Sequence, residues 1–320
     1  MHYDVFNGDA DGIIALLQLR LAEPKQSKLI TGVKRDIQLL RRVESQTDVT
    51  SVTVLDVSMD KNLIPLHAIL QRNIPVFYCD HHRANEIPES DKLSAKINTD
   101  AEVCTSLLVN DQLQGRYFDW AMVGAYGDNL FSTANKLAAK QGISEQQRLF
   151  LQQLGTLINY NGYGSSIDDL HIPPAELFAK LINYASPYEL KDDKQSPYYR
   201  LKQAYEADQQ RLDNISPLFE STRIRAFELP DAAWSRRVNG VFSNQLANQS
   251  PSHAHAVLVI NPSGQSYTVS VRAPLNHRVG ADDVCCQFAT GGGRKAAAGI
   301  NALPVEEKTA FLHALESYYH

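Results

Sequence analysis

Residues 2–12 read His2-Tyr3-Asp4-Val5-Phe6-Asn7-Gly8-Asp9-Ala10-Asp11-Gly12, a β-rich run that breaks at Gly8 and restarts as a helical pattern over 12–22. A strand that ends in a turn carrying two aspartates and then enters a helix is the first half of a βαβ unit. The pattern repeats outward from there. Strands are expected at 28–33, 51–57, 75–79 and 94–97, and helical stretches around 37–43 and over 63–72. Strands alternating with helices predict a mostly parallel sheet flanked by helices. From 104 to 185 the pattern is mainly helical, over 105–113, 136–140, 145–159 and 175–184.

Residues 186–217 are polar, carry Pro187, Pro197 and Pro217, and read as a linker with a connecting helix over 198–212. The pattern then restarts, with strands expected at 222–227, 256–260 and 267–272 and helices at 240–248, 281–289 and 306–319. The expectation is an α/β protein with an N-terminal domain over 1–185, a linker over 186–217 and a smaller α/β domain over 218–320.

The acids fall in a pattern. Asp9 and Asp11 follow the first strand, Asp56 closes the third, and Asp80-His81-His82 follows the fourth. In open α/β sheets ligands bind beyond the carboxyl ends of the strands, so this topology collects four Asp and two His at one rim. Carboxylates so close repel one another unless a cation sits among them, and an oxygen-rich set with one or two imidazoles suits Mn²⁺ or Mg²⁺ better than structural Zn²⁺. Each piece alone has a plainer explanation. One Asp at a helix start is commonly an N-cap, and Asp-X-Asp-Gly is a common turn. Three such clusters, each at a strand end, make coincidence a poor account.

Composition narrows the classes. The 320 residues carry a formal net charge of −5, 43% hydrophobic and 21% charged residues, and four cysteines, two of them adjacent. That is ordinary for a folded protein and is no disulfide framework. Apolar runs reach about five residues, as at 256–260, against the ~20 of a membrane helix. Residues 1–12 lack the basic start and apolar core of a secretory signal, so a cytoplasmic location and no membrane partner are expected. The charge is uneven: residues 221–300 hold eight Lys and Arg against four Asp and Glu, so the acidic excess lies earlier in the chain. A carboxylate-rich half and a locally basic half argue against coating of long nucleic acid and are compatible with a small anionic nucleotide. No P-loop pattern occurs. His253 and His255 have no clustered partner and are expected at the surface. Cys79 is expected in the core. The segment 159–164, Asn-Tyr-Asn-Gly-Tyr-Gly, reads either as cleft lining or as a plain loop.

These motifs resemble the DHH phosphoesterase superfamily, which includes RecJ-type exonucleases, nano-RNases, cyclic-dinucleotide phosphodiesterases and family II pyrophosphatases. Asp9-Ala10-Asp11-Gly12, Asp56, Asp80-His81-His82 and Gly127-Asp128-Asn129 match its four motifs in order, and Cys104-Thr105-Ser106 resembles its Ser/Thr-rich helix start. Ser270-Val271-Arg272 and the run from Gly291 to Gly299 resemble the associated DHHA1 domain. The resemblance implies two divalent ions, Mn²⁺ preferred with Mg²⁺ or Co²⁺ as substitutes, held by Asp9, Asp11, Asp56, His81 and Asp128, with Asn7 beside them. It implies that Asp80 orients an imidazole and that His82 faces the scissile phosphate. Arg272, Arg294, Ser270, Gly291, Gly292 and Gly293 would bind substrate phosphate.

Two positions depart from the family pattern. Asn7 stands where many members have His or Asp, and Arg294 where the glycine motif usually ends in His. The expected activity is hydrolysis of short 5′-phosphorylated diribonucleotides such as pGpG to mononucleotides, with no long nucleic acid required and a homodimer left open. Alternatives are a cyclic-dinucleotide phosphodiesterase, a pAp phosphatase, a pyrophosphatase, a short single-strand exonuclease, or a nucleotide-binding regulator with a degenerate metal site.

Overall fold

The computed structural model describes residues 1–320. Two compact units divide the chain, Met1–Ala204 and Tyr205–His320. The division falls inside a helix, Pro197–Leu212, where the connecting helix of the linker was expected over 198–212.

The first unit is an open sheet wrapped by helices. Its strands are β1 (His2–Phe6), β2 (Ser27–Ile30), β3 (Ser51–Leu55), β4 (Val76–Asp80) and β5 (Leu93–Ile97). Its helices are α1 (Ala10–Ala22), α2 (Arg41–Glu44), α3 (Leu63–Gln71), α4 (Thr105–Gln112), α5 (Phe118–Gly127), α6 (Phe131–Lys140), α7 (Glu145–Gly162) and α8 (Pro174–Leu181); α9 (Pro197–Leu212) leads into the second unit. The strand order is β2-β1-β3-β4-β5 and every pairing is parallel. β1 is buried along its whole length, as a parallel strand covered on both faces must be. The order reverses between β1 and β3, so the crevice of the sheet opens beyond their carboxyl ends.

The strand expected over 28–33 ends at Ile30, and of the helix expected around 37–43 only Arg41–Glu44 is helical. The reason is a distant side chain. Asn62 donates from Nδ2 to the Ile37 carbonyl (2.6 Å) and accepts from the Leu40 amide (3.1 Å), using backbone groups that a helix would have paired internally.

The second unit holds β6 (Phe219–Glu220), β7 (Ile224–Leu229), β8 (Ala254–Ile260), β9 (Ser266–Arg272), β10 (Gly291–Arg294) and β11 (Ala297–Pro304), with α10 (Ala233–Gln249), α11 (Ala281–Cys285) and α12 (Lys308–Tyr319). The sheet order is β10-β11-β9-β8-β7-β6; β7 and β8 run parallel and the other pairs antiparallel. β8 is buried almost throughout, which corrects the expectation for His255. It is fully buried rather than at the surface, and burial, only partly offset by a contact to the Ser250 carbonyl, lowers it to about 4. No helix is long and apolar enough to cross a membrane.

Candidate metal centre and active site

The turn after β1 is set by close packing. A Cβ on Gly8 would lie 1.8 Å from the Gly32 carbonyl oxygen, and one on Gly12 would lie 2.4 Å from the Asn7 carbonyl oxygen. These glycines are therefore fixed by contact; neither has a positive φ. The turn delivers Asp9 as the N-cap of α1, its Oδ1 accepting from the Gly12 amide at 3.1 Å. The N-cap reading of Asp9 and its place at the rim hold together.

Asp11, in the first turn of α1, is fully buried and reaches the start of α4. Its two oxygens accept from the Thr105 and Ser106 amides, both at 2.7 Å. A carboxylate at a helix N-terminus satisfies orphan amides and meets the positive end of the helix dipole. The two hydroxyls add to this: Ser106 Oγ donates to the Asp11 carbonyl at 2.9 Å and Thr105 Oγ1 to Asp56 at 3.3 Å. Asp56 follows β3 with φ +56°, the left-handed region that costs a non-glycine residue roughly 1–2 kcal/mol. Burial, then the charges of Asp9 and Asp11, push its carboxyl well above the usual range. Asp128 caps the C-terminus of α5, where the helix dipole disfavours an anion; burial raises it, with His81 opposing.

His81 joins these acids. Its Nδ1 meets the Val103 carbonyl at 3.0 Å; a carbonyl only accepts, so Nδ1 carries a proton, and in the neutral ring Nε2 is then the nitrogen left to ligate. Nε2 lies 3.4 Å from Asp56, 3.8 Å from Asp128 and 3.9 Å from Asp11. One ligand atom each from Asp11, His81 and Asp128 falls within a 4.8 Å span, and so does one each from Asp56, His81 and His82. An imidazole with Nδ1 tied to a carbonyl, facing three carboxylates, is a donor set that suits a divalent ion. Asp80 is fully buried; its Oδ1 accepts from His82 Nδ1 at 2.7 Å while its Oδ2 has no hydrogen-bond partner. The imidazole that Asp80 orients is thus His82, whose side chain is 43% exposed. Burial works against the His82 cation, but the Asp80 bond and charge outweigh it and raise its pKa.

The Asn7–Asp9 side differs. Asn7 Oδ1 accepts from the Asp9 amide (3.2 Å), and its Nδ2 donates to the Lys34 carbonyl (3.3 Å). Lys34 Nζ contacts Asp9 Oδ2 at 2.5 Å and Asn159 Oδ1 at 3.1 Å, and sits over the Tyr163 ring. Burial opposes the charge on both partners, yet the pair holds Asp9 below its usual range and Lys34 well above its own. Lys34 is the group sequence reading missed; Asn159 lies in the segment read as either cleft lining or a loop. A lysine just past a strand end reads as a solvated charge, although its place at the same rim as Asp9 and Asp56 was a usable signal. The segment 159–164 is the end of α7 rather than a free loop: Asn159 faces Lys34 and Tyr160 is fully buried. Cys79 is fully buried as expected, its thiol pushed up to about 12 chiefly by burial.

Among solved structures, the chain resembles an exonuclease RecJ bound to manganese (15% identity, TM-score 0.63, covering 99% of this chain and 89% of that one). It also resembles RecJ from Thermus thermophilus in complex with Mn²⁺ (16%, 0.65, 99% and 52%). The chain has the DHH-superfamily fold. The pGpG-specific phosphodiesterase PggH from Vibrio cholerae shares the DHH fold at 14% identity and TM-score 0.55, over 100% of this chain and 99% of that one. No protein-family model and no curated protein sequence matches the chain.

In the second unit of this DHH-fold chain, Ala297 of β11 pairs with Arg272 on one side and with Arg294 on the other, so both arginines stand on one face of the sheet. Arg272 Nε donates to Asn244 Oδ1 at 2.7 Å; Arg294 is exposed. Gly299 likewise pairs with Ser270 and with Gly292. The glycine run is an edge strand, not the open loop its composition suggests. Gly291 and Gly293 are needed by the fold: a Cβ would lie 1.8 Å from the Cys285 oxygen and 2.4 Å from Ala298 Cα respectively. A Cβ on Gly292 would meet nothing within 4 Å.

Proposed function

We propose that this protein is a metal-dependent phosphodiesterase that hydrolyses short linear 5′-phosphorylated diribonucleotides such as pGpG to mononucleotides, GMP in that case, in the cytoplasm. The observation that carries the reading is the ligating tautomer of His81 facing Asp11, Asp56 and Asp128. Mn²⁺ is the ion expected there. When bound, a divalent ion supplies a Lewis acid that makes water nucleophilic near neutral pH and offsets charge on phosphoryl oxygens. The protein's own groups do the rest. His82, anchored through Nδ1 to Asp80, offers Nε2 as a proton donor to the leaving oxygen. Arg272 and Arg294, with Ser270 and the bare backbone at Gly292, form a row suited to a terminal phosphate, for which guanidinium gives a paired fork. Support for a dinucleotide comes from the near-complete mutual coverage with PggH.

A second reading, a short single-strand exonuclease, is favoured by the higher TM-scores to RecJ. One assay series separates the two: Mn²⁺ with pGpG, pApA, longer RNAs, cyclic dinucleotides, pAp, pyrophosphate and 5′-phosphorylated single-stranded DNA, each with and without chelator. Mononucleotide release from dinucleotides, abolished by chelator, is the expected result. Preference for long DNA or pyrophosphate overturns the dinucleotide reading, and tight binding without turnover of any substrate would leave a nucleotide-binding regulator. Arg294→Ala is expected to raise KM about 10-fold or more with kcat little changed, since a charge-assisted hydrogen bond contributes roughly 1.5–3 kcal/mol.

A further inference from the structure

The carboxylate rim is not symmetric. On one side, His81 turns Nε2 towards Asp11, Asp56 and Asp128 while Nδ1 is tied to the Val103 carbonyl. On the other, Asp9 accepts from a backbone amide, as Asp11 does from two, but its second oxygen already meets a cation, the Lys34 ammonium. The neighbouring Asn7 offers only a neutral amide oxygen, and that oxygen faces the Asp9 amide. We propose that Lys34 is a built-in cation standing in for a second metal ion, so that this chain takes one divalent ion per molecule, at Asp11, Asp56, His81 and Asp128.

Three observations carry this. The first is that the reach of Lys34 is anchored at its root. Its amide donates to the Gly162 carbonyl at 2.8 Å and its carbonyl accepts from Asn7 Nδ2, so the backbone from which the side chain extends is pinned between the end of α7 and the β1 turn. The second is that the ammonium is received by more than Asp9. Asn159 Oδ1 accepts from it at 3.1 Å and the Tyr163 ring lies beneath it at 5.5 Å, an arrangement that suits a monovalent cation. The third is that Asn7 offers this side a neutral amide, which is a weak ligand for a dication. The same amide donates to the backbone that brings Lys34 in.

A fixed ammonium against Asp9 neutralises one carboxylate and repels a dication from the same oxygens. The same ammonium gives a phosphoryl oxygen a hydrogen-bond donor on the side away from the ion. Lys34 is thus expected to bear on catalysis through charge and position rather than by proton transfer.

The inference rests on the metal-centre reading of the site, and the test separates the two. The full-length protein is dialysed against Mn²⁺, its bound manganese is counted by elemental analysis, and its electron paramagnetic resonance spectrum is recorded. One ion per chain with the six-line pattern of an isolated Mn²⁺ is expected. In the variant Asn7→His with Lys34→Ala, two ions per chain and a spin-coupled spectrum are expected. Two tightly bound, coupled ions in the unaltered protein would overturn the inference while leaving the metal centre standing. No bound ion would overturn the metal centre and the inference with it. Failure of the double variant to take a second ion would show that Lys34 is not what excludes it. Should that variant not fold, the wild-type count and the single Lys34→Gln variant, expected to bind a weaker second ion, still decide the matter.

Discussion

The two ends of α1 each meet a set of buried charges, on opposite terms. At its last turn, Arg20 forks onto Asp4 of β1 through Nε (2.9 Å) and Nη2 (2.6 Å), and Ser27 donates to the same carboxylate at 2.6 Å. His2 and Thr53 complete the set. Burial works against the Asp4 anion, but Arg20, His2 and Ser27 overcome it and hold the carboxyl at about 2. At the first turn, Asp9 and Asp11 join Asp56, Asp80 and Asp128, and the only ammonium among them is Lys34. The same helix and the same sheet thus satisfy a buried carboxylate fully at one end and leave a cluster short of positive charge at the other. A fold able to compensate charge so well near Asp4 leaves the carboxyl rim uncompensated, and on the proposed function the missing charge arrives with a ligand.

If so, the two ends respond oppositely to mutation. The largest effect is expected from His81→Ala, which removes the imidazole that three carboxylates share. Turnover should fall about 10³-fold or more and bound manganese should be lost with it. Retention of both would make the rim one more satisfied polar network. Next is Asp4→Asn, which strands the buried Arg20. Breaking a buried ion pair by removing one partner costs about 3–5 kcal/mol, read by urea unfolding. The double change Asp4→Leu with Arg20→Leu should recover most of it, since two apolar groups need no partner. A single-variant loss under about 1 kcal/mol would dissolve the contrast between the two ends.

The contrast also explains what could be read from sequence. Asp9, Asp11, Asp56 and Asp80-His81-His82 were legible because each closes or follows a buried strand, where period and position agree. Lys34 was not, because nothing in a lone lysine tells whether its ammonium meets water or a carboxylate 25 residues away. Which imidazole Asp80 orients was hidden too. It depends on the Val103 carbonyl, which only the fold brings to one ring, while Asp80 holds the other. Helix α2 shrank because Asn62 takes over its backbone groups from a distance, and β10 was invisible because three glycines carry no strand signal.

Acid sharpens the comparison further. Asp4 has a folded pKa of about 2 against an ordinary 3.8, so its contribution is present above pH ~4 and lost as pH falls through the folded value. The shift corresponds to about 2 kcal/mol. The stability gap between wild type and Asp4→Asn should therefore narrow by about that amount between pH 4 and 2 in urea titrations. A gap that stays constant over this range would mean that the Asp4 charge contributes nothing beyond its packing.

The smallest expected effect has the opposite sign. Asp56→Asn, measured with chelator present, should stabilise the chain by about 1 kcal/mol, whereas removing charge at Asp4 destabilises it. The substitution keeps the shape and an oxygen for the Thr105 hydroxyl, which donates to Asp56 at 3.3 Å. It removes an anion wedged beside Asp9 and Asp11, and asparagine tolerates the left-handed backbone at this position. Manganese should then reverse the order. An ion at 100 times its dissociation constant adds about 2.7 kcal/mol to a chain that binds it, and the variant, lacking a ligand anion, should gain much less. Thermal unfolding of both chains, with chelator and with Mn²⁺, reads the crossover. If Asp56→Asn destabilises the metal-free chain, Asp56 belongs with Asp4 as a structural group and the rim is not held in strain for a ligand.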